Sequence, residues 1–273
     1  MAVTMAEISK LRTMTGAGMM DCKNALTEAE NDFDKAIEII RKKGQAVAAK
    51  RSDREASEGC VLAGVKGGFA AVLALKCETD FVAKNADFVA LTQSILDAAL
   101  EARPANLDAL KALPMDGRTI QDLITDRIGV TGEKMEVDMY EFVEGASAVS
   151  YIHPGNKLAT IVSFNQDVDA QVGRDVAMQA AAMSPLALDR DSMPAAEVEK
   201  ELEIGREKAR QEGKPDNMLD KIAQGRLNKF YQESCLLEQA FIKDSKMTIT
   251  QYLAGVDKAL KVNAFKRVTL NQE

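Results

Sequence analysis

At 273 residues with 46% hydrophobic content, the chain is too long for one small domain and can bury a sizeable core in two or three. A formal net charge of −7 argues against a phosphate backbone as the main ligand, because such binding rests on clustered Lys and Arg. No run approaches the ~20 apolar residues that span a membrane. The opening residues carry neither a basic region nor a signal-like apolar stretch, so the expected location is cytoplasmic. Cys22, Cys60, Cys77 and Cys235 lie far apart with no CxxC pair. They read as small buried residues in a reducing compartment, not as a disulfide frame or a zinc site.

Thr4-Met5-Ala6-Glu7 fits a capping box, after which Met5, Ile8 and Leu11 recur at helical spacing up to a glycine turn at Thr15-Gly16-Ala17-Gly18. A short second helix follows through Met19, Cys22 and Leu26. A third begins near Asp32, carries Phe33, Ile37 and Ile40, and is expected to stop at Gly44 after Arg41-Lys42-Lys43. Met19 and Met20 are adjacent and diverge by about 100° on a helix, so they are hard to bury together in so small a unit. Core filling and partner contact both remain open for the pair, since exposed Met is adaptable apolar surface. Arg12, judged alone, reads as a solvated surface charge.

Residues 59–75 read as strand, turn at Lys66-Gly67-Gly68, and strand. They run into Cys77-Glu78-Thr79-Asp80-Phe81-Val82-Ala83-Lys84-Asn85, ahead of a helix containing Phe88, Leu91, Ile95 and Leu96 with Asp87 as its expected cap. Neighbouring side chains on an extended segment point apart, so Asp80 and Phe81 could not both enter one core. Two readings stand: Asp80 caps a turn while Phe81 packs inward, or the pair faces a partner. Residues 107–113 and 119–128 read as helices, the second capped by Thr119 and Asp122 and stopped at Gly129.

The plan recurs later. Residues 148–164 read as strand, turn at His153-Pro154-Gly155-Asn156-Lys157, and strand, then a helix around Val176 and residues 180–182. Phe69, Val72, Leu73 and Leu75 line up with Leu158, Ile161, Val162 and Phe164. Each hairpin needs a third strand for a stable sheet. The expected candidates are residues 135–143 for the first and 234–242 for the second. Residues 197–211 and 217–230 read as two charged helices with thin apolar stripes, folding on each other as a hairpin. A helix over 248–260 and a short strand over 264–270 close the chain.

Leu11-Arg12, then Thr15-Gly16-Ala17-Gly18-Met19-Met20-Asp21-Cys22-Lys23-Asn24-Ala25-Leu26, and later Thr79-Asp80-Phe81-Val82-Ala83-Lys84-Asn85, resemble in order and separation the translation elongation factor Ts family. Gly132-Glu133-Lys134-Met135 is similar to a second, weaker signature of it. The resemblance implies an α+β fold. Residues 1–55 would form a ubiquitin-associated-like three-helix domain with its linker, 56–144 a first core subdomain, and 145–190 with 231–273 a similar second one. Residues 191–230 would be an inserted antiparallel coiled-coil hairpin. Longer members of the family carry a further helical module beyond the point matched by the final strand.

The resemblance further implies a guanine-nucleotide exchange factor whose partner is elongation factor Tu, GDP-bound and nucleotide-free, with a second copy of the chain as another candidate partner. Thr79, Asp80, Phe81 and Val82 would displace Mg2+ on that partner. Arg12, Met19 and Met20 would contact its GTPase domain, and His153 a more distant domain. No cofactor, resident metal, catalytic residue, nucleic acid or membrane partner is expected. GxSxG, HExxH and P-loop patterns are absent, and the Gly-rich stretch at 64–68 joins two strands instead of opening a helix. The alternative is a ubiquitin-associated-like adaptor that binds a peptide through Met19 and Met20 with no effect on nucleotide.

Overall fold

A computed structural model describes residues 3–271. The chain forms two compact units. One comprises the residues up to Leu62, Leu73–Glu141 and the chain from Thr269; the other comprises Ala63–Val72 and Phe142–Val268. Small sheets and helices mix throughout, as in an α+β protein. Among the described residues no helix is long and apolar enough to cross a membrane.

The first unit opens with α1 (Met5–Thr15), α2 (Met19–Glu28) and α3 (Phe33–Arg51). The capping box forms as expected: Thr4 Oγ1 accepts from the Glu7 N–H at 3.3 Å and Glu7 Oε2 accepts from the Thr4 N–H at 2.7 Å. Gly16, at φ 69°, turns the chain out of α1 in a left-handed conformation that favours glycine. Leu11, Cys22, Leu26 and Ala36 meet in a core of their own, flanked by Phe33, Ile37 and Ile40.

Gly44 and Gly129, both expected to stop helices, do not. Helix α3 runs through Gly44 to Arg51, shortening the expected linker, and α7 (Ile120–Thr131) runs through Gly129 to a left-handed cap at Gly132. The reason is tertiary. A Cβ on Gly129 would lie 2.6 Å from Gly44 Cα, so the two helices cross with their backbones touching. The propensity cost of glycine inside a helix, about 1 kcal/mol, is offset by packing that no larger residue permits.

Strands β1 (Glu58–Lys66) and β2 (Phe69–Cys77) form the predicted hairpin, and every residue from Phe69 to Leu75 is buried. After β2 come α4 (Asp80–Ala83), α5 (Ala86–Ala102) and α6 (Leu107–Ala112). A small pairing of β3 (Pro114–Met115) with β4 (Arg118–Thr119) precedes α7, and β5 (Met135–Glu144) completes a sheet of order β1-β2-β5. Helix α5 is capped by Asn85, whose Oδ1 accepts from the Asp87 N–H at 2.9 Å, and not by Asp87.

In the second unit β6 (Ser147–Ile152) and β7 (Leu158–Phe164) pair antiparallel, with Val149 opposite Val162. Helices α8 (Ala170–Met183), α9 (Ala195–Gln211) and α10 (Asp216–Ser234) follow, then β8 (Ala240–Phe241), β9 (Asp244–Thr248), α11 (Ile249–Val256) and β10 (Val262–Thr269). The sheet order is β10-β7-β6, so the third strand is β10 and not residues 234–242. That earlier segment pairs elsewhere, Ala240–Phe241 as β8 with β9 and Cys235 in a bridge with Ala187, and side chains pin it further. The Gln239 amide donates to the carbonyls of Met183 and Glu233, while Gln179 donates to Gln239 and accepts from the Ile242 N–H. In both sheets the second strand of the hairpin is central, so the order of elements does repeat. The closing helix is shorter than expected, ending at Val256.

Helices α9 and α10 pair antiparallel: Arg206 bonds Asp220 and Arg226 bonds Glu212, in reverse order along the two helices. Gly205 lets α9 approach Ala223 closely, above buried Ala209, Leu219 and Leu227.

Two glycine substitutions should therefore act oppositely in urea unfolding. Gly129→Ala should destabilise by about 1–3 kcal/mol through overpacking against Gly44. Gly225→Ala in α10, where an added Cβ meets nothing within 4 Å, should stabilise by about 0.5–1 kcal/mol. Equal effects of the same sign would refute the close crossing.

Candidate functional site

Strand β2 ends at Cys77, and the chain turns at once into the single-turn helix α4. Thr79 is its cap, in extended conformation, with Oγ1 accepting from the Val82 N–H at 3.4 Å. Asp80, expected as the capping residue in the structural reading, sits instead inside the first turn. Ala83 is buried beneath the turn and Val82 is half-buried. Phe81 points the other way and is 84% exposed. The inward-packing alternative for that ring is thereby overturned. A benzyl group so exposed gives up the burial that would normally stabilise it by roughly 1.5–3 kcal/mol.

Asp80 faces solvent as well, and its Oδ2 accepts from Lys84 Nζ at 2.6 Å. That hydrogen bond raises the Lys84 ammonium above its ordinary pKa. Lys84 is so exposed that the pair contributes little to stability.

The turn is held from behind by groups that local sequence patterns do not reveal. Glu133, in the loop after α7, accepts from the Thr79 N–H through Oε2 at 3.1 Å and from Thr79 Oγ1 through Oε1 at 2.6 Å. Glu78 returns the arrangement: its Oε1 accepts from the Lys134 N–H at 2.6 Å, and both its oxygens accept from Arg51 Nη1 at 3.2–3.3 Å. Arg127 of α7 donates to Asn85 Oδ1 and Asp87 Oδ2 at 3.2 and 3.1 Å, tying the start of α5 to the same helix. The sequence signal for this was thin. Glu133 lies in the weaker motif, but its partner is fifty-four positions away.

A second group of predicted residues flanks the glycine turn of the first unit. Arg12 is exposed in the last turn of α1, and Met19 and Met20 open α2 with 42% and 64% of their surface free. Core filling is excluded for both methionines. His153 belongs to the other unit, exposed at the β6–β7 turn, with Nδ1 3.1 Å from the Tyr151 hydroxyl. Thr79, Asp80, Phe81 and Val82 thus lie on one turn, Arg12, Met19 and Met20 flank the Gly16 turn in the same unit, and His153 belongs to the other unit.

All four thiols are shut in the core. Burial pushes Cys77 up to about 12, helped by the Glu133 carboxylate, and Cys235 up to about 11. Cys22 is also raised by burial. None is placed as a nucleophile. Among the described residues no group of three or more His, Cys, Asp or Glu is arranged to hold a metal ion.

Phe81 is thus an outward-facing aromatic beside a carboxylate on a turn held by its own unit, and Met19 and Met20 stand exposed at the start of α2. Residues 78–272 match the family model described as Elongation factor TS. Elongation factor Ts of Porphyromonas gingivalis is 63% identical over 274 residues, with 100% of both chains covered. The protein of the same name from Azobacteroides pseudotrichonymphae is 56% identical over 274 residues, and that from Bacteroides thetaiotaomicron 50% over 330, each with full coverage of both chains. The chain belongs to the elongation factor Ts family.

With the thiols enclosed, a disulfide reagent such as DTNB at pH 8 should label none of the four cysteines of the native chain within minutes and all four in denaturant. Rapid native labelling of Cys77 would contradict its burial.

Proposed function

We propose that the chain is a guanine-nucleotide exchange factor for elongation factor Tu, which binds the Tu·GDP complex, displaces Mg2+ and promotes GDP release during translation elongation. The observation that carries this reading is the 84% exposure of Phe81 on a turn otherwise fixed to its own unit. An exchange factor binds the nucleotide-free partner more tightly than the GDP-bound one. By reciprocity it weakens GDP by the same factor that GDP weakens it. A coupling of ~1–3 kcal/mol gives only about 5- to 150-fold, so efficient exchange draws on a broad interface.

Phe81 supplies the apolar wedge, since an aromatic side chain buries roughly 150–250 Å². Asp80 enters the polar network around the partner's Mg2+, whose ligands are oxygens and waters. Thr79 and Val82 shape the turn that presents them. Arg12, Met19 and Met20 give a second contact to the GTPase domain, and His153 gives one to a farther domain.

The three-helix unit at 1–55 is ubiquitin-associated-like in this reading. Residues 56–144, and 145–190 with 231–273, are paired core subdomains, and 191–230 is a coiled-coil hairpin serving the partner or a second copy. The protein works in the cytoplasm without a cofactor. The adaptor alternative draws support from exposed Met19 and Met20, but it gives Phe81 no task.

Stopped-flow release of fluorescent GDP from purified elongation factor Tu tests this directly. The chain should accelerate release, and Phe81→Ala should slow the accelerated rate about thirty-fold, the effect of a hot spot worth ~2 kcal/mol. Because the ring makes no core contact, the urea midpoint should stay as in the unsubstituted chain. An unchanged release rate would remove the wedge.

A further inference from the structure

We propose that Glu133 is a positioning residue for exchange: its two carboxylate oxygens set the direction in which α4 presents Asp80 and Phe81, without touching the partner. The inference rests on the reading of Phe81 as the wedge, but its geometry stands apart from that reading.

Thr79 is the only link between β2 and α4 that both caps the helix and is gripped from outside it. Its Oγ1 takes the Val82 N–H, its carbonyl takes the Ala83 N–H at 3.1 Å, and its own N–H and O–H both go to Glu133. A four-residue helix has almost no intrinsic stability, because nucleation fixes several residues for a single internal bond. Its orientation therefore depends on what holds it from outside, and at its N-terminal end that is the cap gripped by Glu133. The loop carrying Glu133 is itself locked, since the next N–H, of Lys134, is held by Glu78, the residue before Thr79. Two carboxylates reach across in opposite directions and close the structure on both sides of one joint.

Placing a wedge before it meets its target lowers the ordering cost of binding. A loosened Thr79 would leave Phe81 exposed but undirected. The chemistry also separates the informative substitutions. Glu133→Ala removes both acceptors. Glu133→Gln keeps an amide oxygen for the Thr79 N–H and lets its NH2 donate to Thr79 Oγ1, which still has a lone pair for Val82.

The test uses the full chain with two readouts. Amide hydrogen exchange reports α4 itself: in Glu133→Ala the N–H groups of Val82, Ala83 and Lys84 should exchange at least tenfold faster, while that of Val89 in α5, bonded to the Asn85 carbonyl, stays protected. Accelerated GDP release from elongation factor Tu should fall at least tenfold with Glu133→Ala and stay within twofold with Glu133→Gln. Adding Glu133→Ala to Phe81→Ala should cost little more than Phe81→Ala alone. Unchanged α4 protection overturns the proposal. So does full activity of Glu133→Ala alongside an impaired Phe81→Ala, or full additivity of the two. Loosened α4 with full activity in both single variants overturns the wedge reading and, with it, the role of Glu133 in exchange, while the loosening itself still separates this outcome from a failure of the Glu133–Thr79 contact.

Discussion

The carboxylate exchange across one joint, Glu133 to Thr79 and Glu78 to Lys134, is the constraint on which the surface built around Phe81 depends. An exposed aromatic ring on a free loop would gain nothing specific, since each residue ordered on binding costs about 1–2 kcal/mol of backbone entropy. Here that ordering is completed during folding. The bonds are charge-assisted and partly shielded from water, which makes them stronger than neutral ones of the same length. What remains exposed at the tip is the Phe81 ring, beside the Asp80 carboxylate.

Helix α7 extends the same constraint through the first unit. Its Arg127 grips the start of α5, its C-terminal loop supplies Glu133, and its Gly129 seats α3 by backbone contact. Arg51, near the end of α3, returns to Glu78. The helices carrying Arg12, Met19 and Met20 are packed onto α3 through Leu11, Leu26 and Ala36. Both candidate surfaces of this unit therefore trace back to one helix. The second unit is stabilised independently by a buried polar network. Asp175 accepts from Lys243, Tyr252 and Gln171, and the Lys243 and Gln171 bonds together hold its carboxyl below the usual range despite burial.

What the sequence disclosed was whatever local chemistry decides. The Thr4–Glu7 capping box, the hairpin at Lys66-Gly67-Gly68, and the adjacency of Met19 with Met20 each depend on neighbours within a few positions, and each appears in the structure as read. The helix ends at Gly44 and Gly129 differ from the local reading for a tertiary reason. Gly44 and Gly129 look like stops because glycine usually ends helices, yet their missing side chains serve a contact with each other across the fold. Residues 234–242 carry a strand-like pattern, but only Ala240–Phe241 form a strand, which pairs with β9, while β7 pairs with β10. Nothing near Glu133 in sequence indicates Thr79, its partner fifty-four positions away. Asp80 and Asp87 suit cap positions because aspartate favours that role, but Thr79 and Asn85, equally able, occupy them.

The site's logic is a division of labour between placement and contact. Placement is built into side-chain bonds within one unit. Contact is left to a few exposed groups whose own bonds to the protein are weak. A device of this kind is suited to disturb a metal-centred network on another surface, and elongation factor Tu with its Mg2+ and GDP is the partner proposed for it. The most direct measurement compares the factor by which the chain accelerates GDP release when Mg2+ is saturating and when it has been chelated. Action through the metal predicts a large factor with Mg2+ that shrinks at least about tenfold once the ion is gone, because the chain's main task has then been done in advance. The same acceleration under both conditions would contradict the account and move the site of action to the phosphate loop or the base.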